Sequence, residues 1–287
     1  MDVRPCTAVL GAEILGVDVA HDLDADTFAA VERAYDDFGV IFFRDQTVSP
    51  ERQIAFSRRF GTVDCFPLAQ YCLAEHPEIL LISNVKEQDR NIGLADAGQT
   101  WHTDMSWSAV PPRGSALYAV EIPAKDGVAL GATLFASAAA AYDALPEDMK
   151  RRIDGLKAVH SYQAKHAYRA KVSVSERDAM TNEQKNAHPD VVHPIVRTHP
   201  ITGRKCLYVM TGECTGIVGM NDKEALPLLD ELAAHVVEPA FQYKHVWRTG
   251  DLLMWDNCTV QHFAVRDYAW PMRRLMHRTQ FAGSVPF

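Results

Sequence analysis

The sequence has 287 residues, of which 47% are hydrophobic and 23% charged, a balance typical of a globular protein with a sizeable buried core. Its net charge of −8 gives no general attraction for nucleic acid or for an anionic membrane. The six cysteines form no C-x-x-C pair, and no leader-like segment or roughly 18-residue apolar run is present. We therefore expect one domain over residues 1–287, in the cytoplasm, without a nucleic-acid or membrane partner.

The first part of the chain predicts two helices separated by a strand. Residues 25–37 carry apolar side chains at helical spacing behind an acidic start. Residues 49–61 begin with Ser49 and Pro50 and end at Gly61, the typical order of helix start and stop residues. The apolar run 40–44 lies between these helices and predicts a buried strand.

Strands dominate from there on, because the segments between turn residues are rich in β-branched and aromatic side chains. The predicted strands are 78–83, 101–107, 115–122, 156–162, 191–198, 206–210, 251–257, 259–265 and 275–283. Helices are predicted at about 136–154 and 222–237. The pattern favours a mainly β fold with helical decoration, of the antiparallel sandwich or jelly-roll type.

The segment Trp101-His-Thr-Asp-Met-Ser-Trp107 places a histidine and a carboxylate two residues apart. In a strand, residues i and i+2 point to one face, so His102 and Asp104 are predicted to project together. A second histidine, His262, lies on the predicted strand 259–265. Two histidines and one carboxylate form the ligand set of the 2-His-1-carboxylate Fe(II) sites. The alternative is a pair of polar residues on a wet strand face and a hydrogen-bonded core histidine.

The last strand begins with arginines. Arg274, Met276 and Arg278 share one face by strand parity, whereas His277 points the other way. Unpaired guanidinium groups are costly to bury, so an inward face would require anions as partners. Arginine grips a carboxylate with two parallel hydrogen bonds, so this strand can clamp a dicarboxylate cosubstrate and an anionic substrate. A solvent-exposed position of both arginines is the alternative.

Taken together, the ordered segments WHTD (101–104), GATLF (131–135), WDNCTVQH (255–262) and RRLMHR (273–278) resemble the Fe(II)/2-oxoglutarate-dependent dioxygenases of the taurine dioxygenase and 2,4-dichlorophenoxyacetate dioxygenase family. The resemblance spans nearly the whole chain. It implies a double-stranded β-helix, or jelly-roll, core with helical decoration and a homo-oligomer, either a dimer or a tetramer.

The resemblance also assigns roles to particular residues. It implies that His102, Asp104 and His262 are the Fe(II) ligands and that Arg274 and Thr133 bind 2-oxoglutarate. Arg278 would receive the anionic group of the substrate, with Trp107 and Phe66 along the substrate's path. Three features depart from the family pattern: the loop 123–131 is longer than in the taurine enzyme, Ala132 stands where the family usually has Asp, and the segment Phe66-Pro67-Leu68-Ala69 lacks the His and Tyr that hold taurine.

The implied reaction uses Fe(II), 2-oxoglutarate and O2 to hydroxylate a small anionic organic substrate, such as an aryloxyalkanoate or a sulfonate, and releases succinate and CO2. Hydroxylation at a carbon that carries oxygen, nitrogen or sulfur would lead to cleavage of that bond. Two alternatives are a metal-dependent hydrolase on the same jelly roll, with a zinc-bound water, and a non-catalytic ligand-binding jelly roll.

Overall fold

In the computed structural model, residues 1–66, 68–172 and 180–287 are described. The fold is mainly β, and its helices pack against the sheets. The helices are α1 (Ala25–Phe38), α2 (Pro50–Arg58), α3 (Ala138–Ala144), α4 (Glu147–Ile153), α5 (Tyr162–Val172), α6 (Asn182–Ala187) and α7 (Asp222–Val236), with single 3-10 turns at Ala69–Tyr71 and Pro239–Phe241. None of the helices in the described part of the chain is long and apolar enough to cross a membrane.

The strands are short and most pair antiparallel. In chain order they are β1 (Asp2–Pro5), β2 (Ala12–Leu15), β3 (Val40–Phe43), β4 (Cys72–Leu73), β5 (His76–Ser83), β6 (Lys86–Glu87), β7 (Arg90–Asn91), β8 (Gly114–Glu121), β9 (Ala124–Lys125), β10 (Val128–Ala129), β11 (Thr133–Ser137), β12 (Lys157–His160), β13 (Val191–Pro194), β14 (Val196–Thr198), β15 (Lys205–Leu207), β16 (Cys214–Ile217), β17 (Gln242–His245), β18 (Leu252–Asp256), β19 (Val260–Ala264) and β20 (Leu275–Phe281).

A large sheet and a small sheet carry the elements that matter for the site. The large sheet has the strand order β1-β2-β3-β18-β8-β20-β5-β4, and only its β2–β3 pair is parallel. The small sheet has the order β17-β11-β19. Buried side chains from both sheets, among them Phe42, Leu117, Phe135, Trp255 and Val260, form one apolar cluster. The two sheets therefore share a core, and the side chains at its edge can meet.

The N-terminal helices begin where the sequence predicts, and α1 also ends there, whereas α2 ends at Arg58, three residues before Gly61. Asp24 caps α1 by accepting a 2.8 Å hydrogen bond from the backbone N–H of Thr27, and Gly39 ends the helix with a left-handed φ of 66°. Ser49 caps α2, with Pro50 in its first turn. The stop at Gly39 thus leads the chain into β3, and the cap at Ser49 starts the helix that follows this strand.

Most predicted strands are present, with bounds shifted by a few residues. The predicted strand 206–210 is reduced to β15, and 191–198 is split into β13 and β14. The predicted helix 136–154 is two helices, because Leu145 and Pro146 between them have extended backbone conformations. Helices α5 and α6 lie in a part of the chain without a predicted helix.

The prediction of a strand over residues 101–107 is wrong. Within this segment only His102 forms a bridge, to His262, and the chain then turns at Met105, which has a φ of 51°. The i, i+2 spacing of His102 and Asp104 is compatible with a strand. The segment is instead a loop, which backbone hydrogen bonds join to His262 in β19 and further hydrogen bonds join to Asn257 in the turn before that strand.

Candidate active site

Two histidines meet through their backbones. The N–H of His262 donates to the carbonyl of His102 at 2.8 Å, and the N–H of His102 donates to the carbonyl of His262 at 3.2 Å. This two-way pairing brings the imidazole rings to a centroid distance of 4.1 Å. The Nδ1 of His102 donates to the carbonyl of Thr100 at 2.8 Å, because a carbonyl can only accept. The Nε2 of His102 therefore keeps its lone pair.

The turn before β19 positions Asp104. The Thr103 hydroxyl donates to the carbonyl of Asn257 at 2.9 Å, and the Asn257 side-chain oxygen accepts from the Asp104 N–H at 3.3 Å. The side chain of Asp104 consequently turns back towards the two histidines, although the segment is not a strand. His102 and Asp104 thus converge as predicted, for a different structural reason.

The two oxygens of the Asp104 carboxylate have different partners. Oδ2 accepts from the Ser115 hydroxyl and the Trp255 indole, each at 3.2 Å, and forms a 2.7 Å ion pair with Arg278. Oδ1 lies 3.9 Å from Nε2 of His102 and 3.9 Å from Nε2 of His262. One oxygen is therefore held by the sheet, and the other faces the imidazoles.

These three residues form a group that can bind a metal ion. One donor atom from each of His102, Asp104 and His262 lies within 4.8 Å of the others, and all three residues are buried. Because metal–nitrogen and metal–oxygen bonds are about 2.1 Å long, one ion can span the 3.9 Å separations. Imidazole nitrogen and carboxylate oxygen, without a thiolate, suit a ferrous ion.

Burial and the neighbouring charges keep these residues in the protonation states that bind metal. Burial, His262 and Lys165 lower the pKa of His102 to about 3. Burial lowers the pKa of His262 to about 4 against the opposing effect of Asp104. Burial alone would raise the pKa of Asp104, but Arg278 and the two histidines outweigh it and lower that pKa. At neutral pH the site offers two neutral imidazoles and one carboxylate.

Arg274 lines a small, solvent-open pocket next to strand β19. Gln99, Ala264 and Tyr268 also line this pocket. The Arg274 side chain is buried, and its Nε has no hydrogen-bond partner among the described residues. A buried guanidinium with an unpaired donor beside an opening is suited to a carboxylate ligand. The structure therefore fits an anionic cosubstrate at the place that the sequence indicates.

Thr133 opens β11 and is buried. Its hydroxyl accepts a 3.0 Å hydrogen bond from the indole N–H of Trp247, which leaves the hydroxyl proton for another acceptor. The carbonyl of Gly131, two residues before Thr133, accepts a 3.5 Å hydrogen bond from the Arg274 side chain. Thr133 and Arg274 therefore lie close to each other in the fold.

Arg278 is directed inward, as predicted, and its Nε and one terminal nitrogen already have partners within the protein. Besides Asp104, it bonds to Ser115 at 3.1 and 3.3 Å and to the Gln280 side chain at 2.8 Å. Phe66 lies with its ring 5.8 Å from the Arg278 guanidinium carbon. Phe66 and Arg278 are therefore neighbours.

Trp107 contacts a different part of the protein. Its ring packs against Tyr162 at 4.5 Å and His188 at 4.8 Å, so it joins the ligand loop to α5. Of the segment Phe66-Pro67-Leu68-Ala69, Pro67 lies outside the described residues.

A second group of His199, Asp256 and Cys258 also has metal-ligand composition within the described chain. Its hydrogen bonds argue against a metal. His199 Nδ1 accepts from the N–H groups of Ile201 and Thr202, so Nε2 carries the proton that it donates to Asp256 at 3.1 Å. Burial raises the pKa of the Cys258 thiol well above its usual range. The group is a satisfied buried network.

Several residues that shape the site were not predicted as functional. Trp255 and Trp247 are typical core residues by sequence, and they are buried, but their indole N–H groups donate to Asp104 and Thr133. Ser115 and Lys165 gave no sequence pattern. Ser115 lies 11 positions after Asp104, and only the fold shows that its hydroxyl reaches the carboxylate.

A buried His-Asp-His group beside an arginine-bearing cavity, on a mainly β fold, defines the class of non-haem iron oxygenases with a 2-His-1-carboxylate site. Comparison with known proteins gives the family. The chain belongs to the taurine catabolism dioxygenase TauD, TfdA family, whose model matches residues 2–280. It is a 2-oxoglutarate-dependent dioxygenase, and its cofactors are Fe(II), 2-oxoglutarate (alpha-ketoglutarate) and O2.

Similar proteins cover almost the whole chain. Pentalenolactone F synthase from Streptomyces arenae is 34% identical over 91% of this chain and 89% of its own. The alpha-ketoglutarate-dependent 2,4-dichlorophenoxyacetate dioxygenase of Cupriavidus pinatubonensis is 33% identical over 96% of this chain and 95% of its own. The crystal structure of a taurine dioxygenase from Burkholderia xenovorans has a TM-score of 0.80 at 31% identity, covering 99% of this chain and 92% of that one.

Proposed function

We propose that this enzyme hydroxylates a small anionic organic substrate, an aryloxyalkanoate or a sulfonate, while it converts 2-oxoglutarate to succinate and CO2. Where the hydroxylated carbon carries oxygen, sulfur or nitrogen, the product breaks down and the bond is cleaved. The pairing of a buried His-Asp-His group with the buried Arg274 carries this proposal. The names of the dichlorophenoxyacetate and taurine enzymes supply the two substrate classes.

The proposal assigns the Fe(II) ligands to His102, Asp104 and His262. Support comes from the two 3.9 Å separations between imidazole Nε2 atoms and the free carboxylate oxygen. The hydrogen bond from His102 Nδ1 to Thr100 fixes the tautomer that a ligand needs. Ser115 and Trp255 hold the other carboxylate oxygen and orient Asp104.

Arg274 and Thr133 are assigned to 2-oxoglutarate. Arg274 would pair with the distal carboxylate through its fork of N–H donors, and Thr133 would donate its hydroxyl proton. The unpaired Nε of Arg274 and the cavity in front of it support this role. Ala132, which stands where the family usually has Asp, is buried. Because its side chain is uncharged, it places no carboxylate beside Arg274 and Thr133.

Arg278, Phe66 and Trp107 are assigned to the substrate. Arg278 has a second task, since it is the cation that keeps Asp104 ionised in the metal-free protein. A substrate anion would share the guanidinium with Asp104, and the Phe66 ring would cover the adjacent apolar part.

Bound Fe(II), 2-oxoglutarate and O2 would together supply the chemistry, with O2 as the oxidant: one of its oxygen atoms would enter succinate and the other the hydroxylated substrate. The protein's own residues would position these partners: Asp104 stays ionised, His102 stays in one tautomer, and Arg274 sets the orientation of the cosubstrate. We further propose that residues 1–287 form one domain with a double-stranded β-helix core, and that the enzyme is a homodimer or homotetramer.

Turnover of a substrate panel tests the function. Aryloxyalkanoates, sulfonates and sulfate esters would be incubated with Fe(II), 2-oxoglutarate and O2, and succinate would be measured. We expect succinate release that depends on iron and increases with at least one anionic compound. Activity that needs neither Fe(II) nor O2 would instead favour a hydrolase or a binding protein on the same fold.

A further inference from the structure

The pocket beside β19 has a tyrosine next to Arg274. Ala264 and Tyr268 both line this pocket, and both follow the candidate metal ligand His262 along the chain. The centre of the Tyr268 ring lies 6.0 Å from the guanidinium carbon of Arg274. One solvent-open pocket therefore contains a phenol and a guanidinium side by side, close along the chain to a candidate metal ligand.

The backbone of Gly131 allows the tyrosine and the arginine to come close together. Gly131 has a left-handed φ of 72°, and a Cβ atom at this position would lie 2.9 Å from Tyr268 Cε1 and 3.2 Å from Arg274 Nε. Its N–H donates to Asp267 Oδ1 at 2.7 Å, and its carbonyl accepts from Arg274 Nη2 at 3.5 Å. Gly131 is thus bonded both to the residue before Tyr268 and to Arg274, and glycine leaves the two side chains enough room.

The main chain of Arg274 is held by two residues at the end of β5. The Ser83 hydroxyl donates to the carbonyl of Arg274 at 2.8 Å, and the side-chain oxygen of Asn84 accepts from its N–H at 2.8 Å. These bonds fix the backbone and leave the guanidinium uninvolved. The guanidinium is therefore placed in the pocket wall before a ligand arrives.

Arg274 and Tyr268 can donate to the same carboxylate. A guanidinium has only donors, so Arg274 cannot take up the phenol proton of Tyr268. The Nε of Arg274 is buried and has no hydrogen-bond partner among the described residues. Burial lowers the pKa of Arg274, and the neighbouring Tyr268 opposes that effect. A carboxylate has two oxygens with about four acceptor positions, so it can satisfy both side chains at once.

We propose that Tyr268 is a further 2-oxoglutarate-binding residue, whose hydroxyl donates to the distal carboxylate beside Arg274. Gly131 is the position that lets the two donors approach this carboxylate together. The inference rests on the proposed function, because it takes the pocket as the 2-oxoglutarate site. It deepens that function by adding to Thr133 and Arg274 a residue that sets the preference for a dicarboxylate.

The test measures cosubstrate binding in full-length protein that is loaded with Fe(II) under anaerobic conditions. The visible charge-transfer band of the chelate is titrated with 2-oxoglutarate and with 2-oxopentanoate, in which a methyl group replaces the distal carboxylate. Tyr268→Phe removes the hydroxyl and keeps the ring that packs against Gly131. Tyr142→Phe, which removes a hydroxyl from a partly buried ring on α3, is the matched control.

We expect Tyr268→Phe to raise the Kd for 2-oxoglutarate about 10-fold, as the loss of one hydrogen bond to a charged group does. The Kd for 2-oxopentanoate should stay the same, because this ligand offers the hydroxyl no acceptor at its distal end. Tyr142→Phe should match the wild type with both ligands. The Fe(II) affinity, measured before a cosubstrate is added, should be equal in all three proteins.

An unchanged Kd for 2-oxoglutarate in Tyr268→Phe would overturn the inference and leave Tyr268 as a wall of the pocket. A loss of the same size for 2-oxopentanoate or for Fe(II) would overturn it as well, because the effect would then not depend on the distal carboxylate. Where 2-oxopentanoate gives no band with the wild type, the Fe(II) affinity serves as the control. Absence of a band with 2-oxoglutarate in the wild type would refute the proposed function, which is a separate result.

Discussion

Replacement of Arg278 by methionine should destabilise the metal-free protein and should do so less once metal is bound. Asp104 is buried, and Arg278 is its ion-pair partner at 2.7 Å. Removal of one member of a buried pair leaves an uncompensated charge, which costs about 3–5 kcal/mol. The hydrogen bonds from Ser115 and Trp255 remain and place the result nearer the lower value.

A divalent ion restores the missing positive charge. Without the Arg278 charge, Asp104 should bind a metal ion more tightly. A bound ion stabilises the folded state more the tighter it binds, so metal should raise the unfolding free energy of Arg278→Met by more than that of the wild type. Urea unfolding of both proteins, with and without Mn(II) as an ion that does not oxidise, measures the two differences.

The neighbouring arginine provides the matched control. Arg273 pairs with Glu121 at 3.0 Å, but the two side chains are 47% and 41% exposed. Arg273→Met should therefore cost no more than about 1 kcal/mol and should not depend on metal. Equal losses in the two variants, or an equal effect of Mn(II) on Arg278→Met and the wild type, would refute the role of Arg278 as the counterion of Asp104.

Three further predictions concern the cosubstrate, the metal and acid stability. Arg274→Ala should raise the KM for 2-oxoglutarate about 100-fold, because a buried charged donor is lost, and an unchanged KM in succinate assays would contradict its assignment. Trp255→Phe removes the 3.2 Å hydrogen bond to Asp104 and should weaken Fe(II) affinity about 10-fold, which metal titration measures; unchanged affinity would show that the indole only packs. Burial lowers the pKa of His160 to about 3, so below pH 6.5 the unfolded chain binds a proton that the folded protein does not, and stability falls as the pH drops. In His160→Gln the slope of the unfolding free energy between pH 6 and pH 4 should be smaller by about 1.4 kcal/mol per pH unit, and identical slopes would mean that His160 is protonated in the fold.

The sequence predicts the main elements well because their local patterns agree with their tertiary context. Helix α1 has its cap at Asp24 and its stop at Gly39, and all four residues of β3, in the apolar run 40–44, are buried, so local and global preferences coincide. Residues 101–107 show the limit of such reasoning. The i, i+2 placement of His102 and Asp104 between two tryptophans favours a strand there, but contacts with Asn257 hold the segment as a loop.

The candidate metal ligands could be proposed from sequence because their residue types are rare in apolar surroundings and their motifs occur in order. The residues that support them could not. Trp255 is a typical core residue by sequence, and only the fold shows that its N–H reaches Asp104. Lys165 and Glu213 are 48 positions apart in the numbering and meet only because α5 packs beside the loop after Met210.

The central claim is that His102, Asp104 and His262 bind the Fe(II) on which 2-oxoglutarate chelates, and an anaerobic titration tests it most directly. Purified protein would be loaded with Fe(II), 2-oxoglutarate would be added, and the visible charge-transfer band of the chelate would be recorded for the wild type and for His102→Ala. We predict a band in the wild type and none in the variant, with the fold of both verified by circular dichroism. A folded wild-type protein that binds iron but shows no band, or a band of equal strength in His102→Ala, would contradict the assignment.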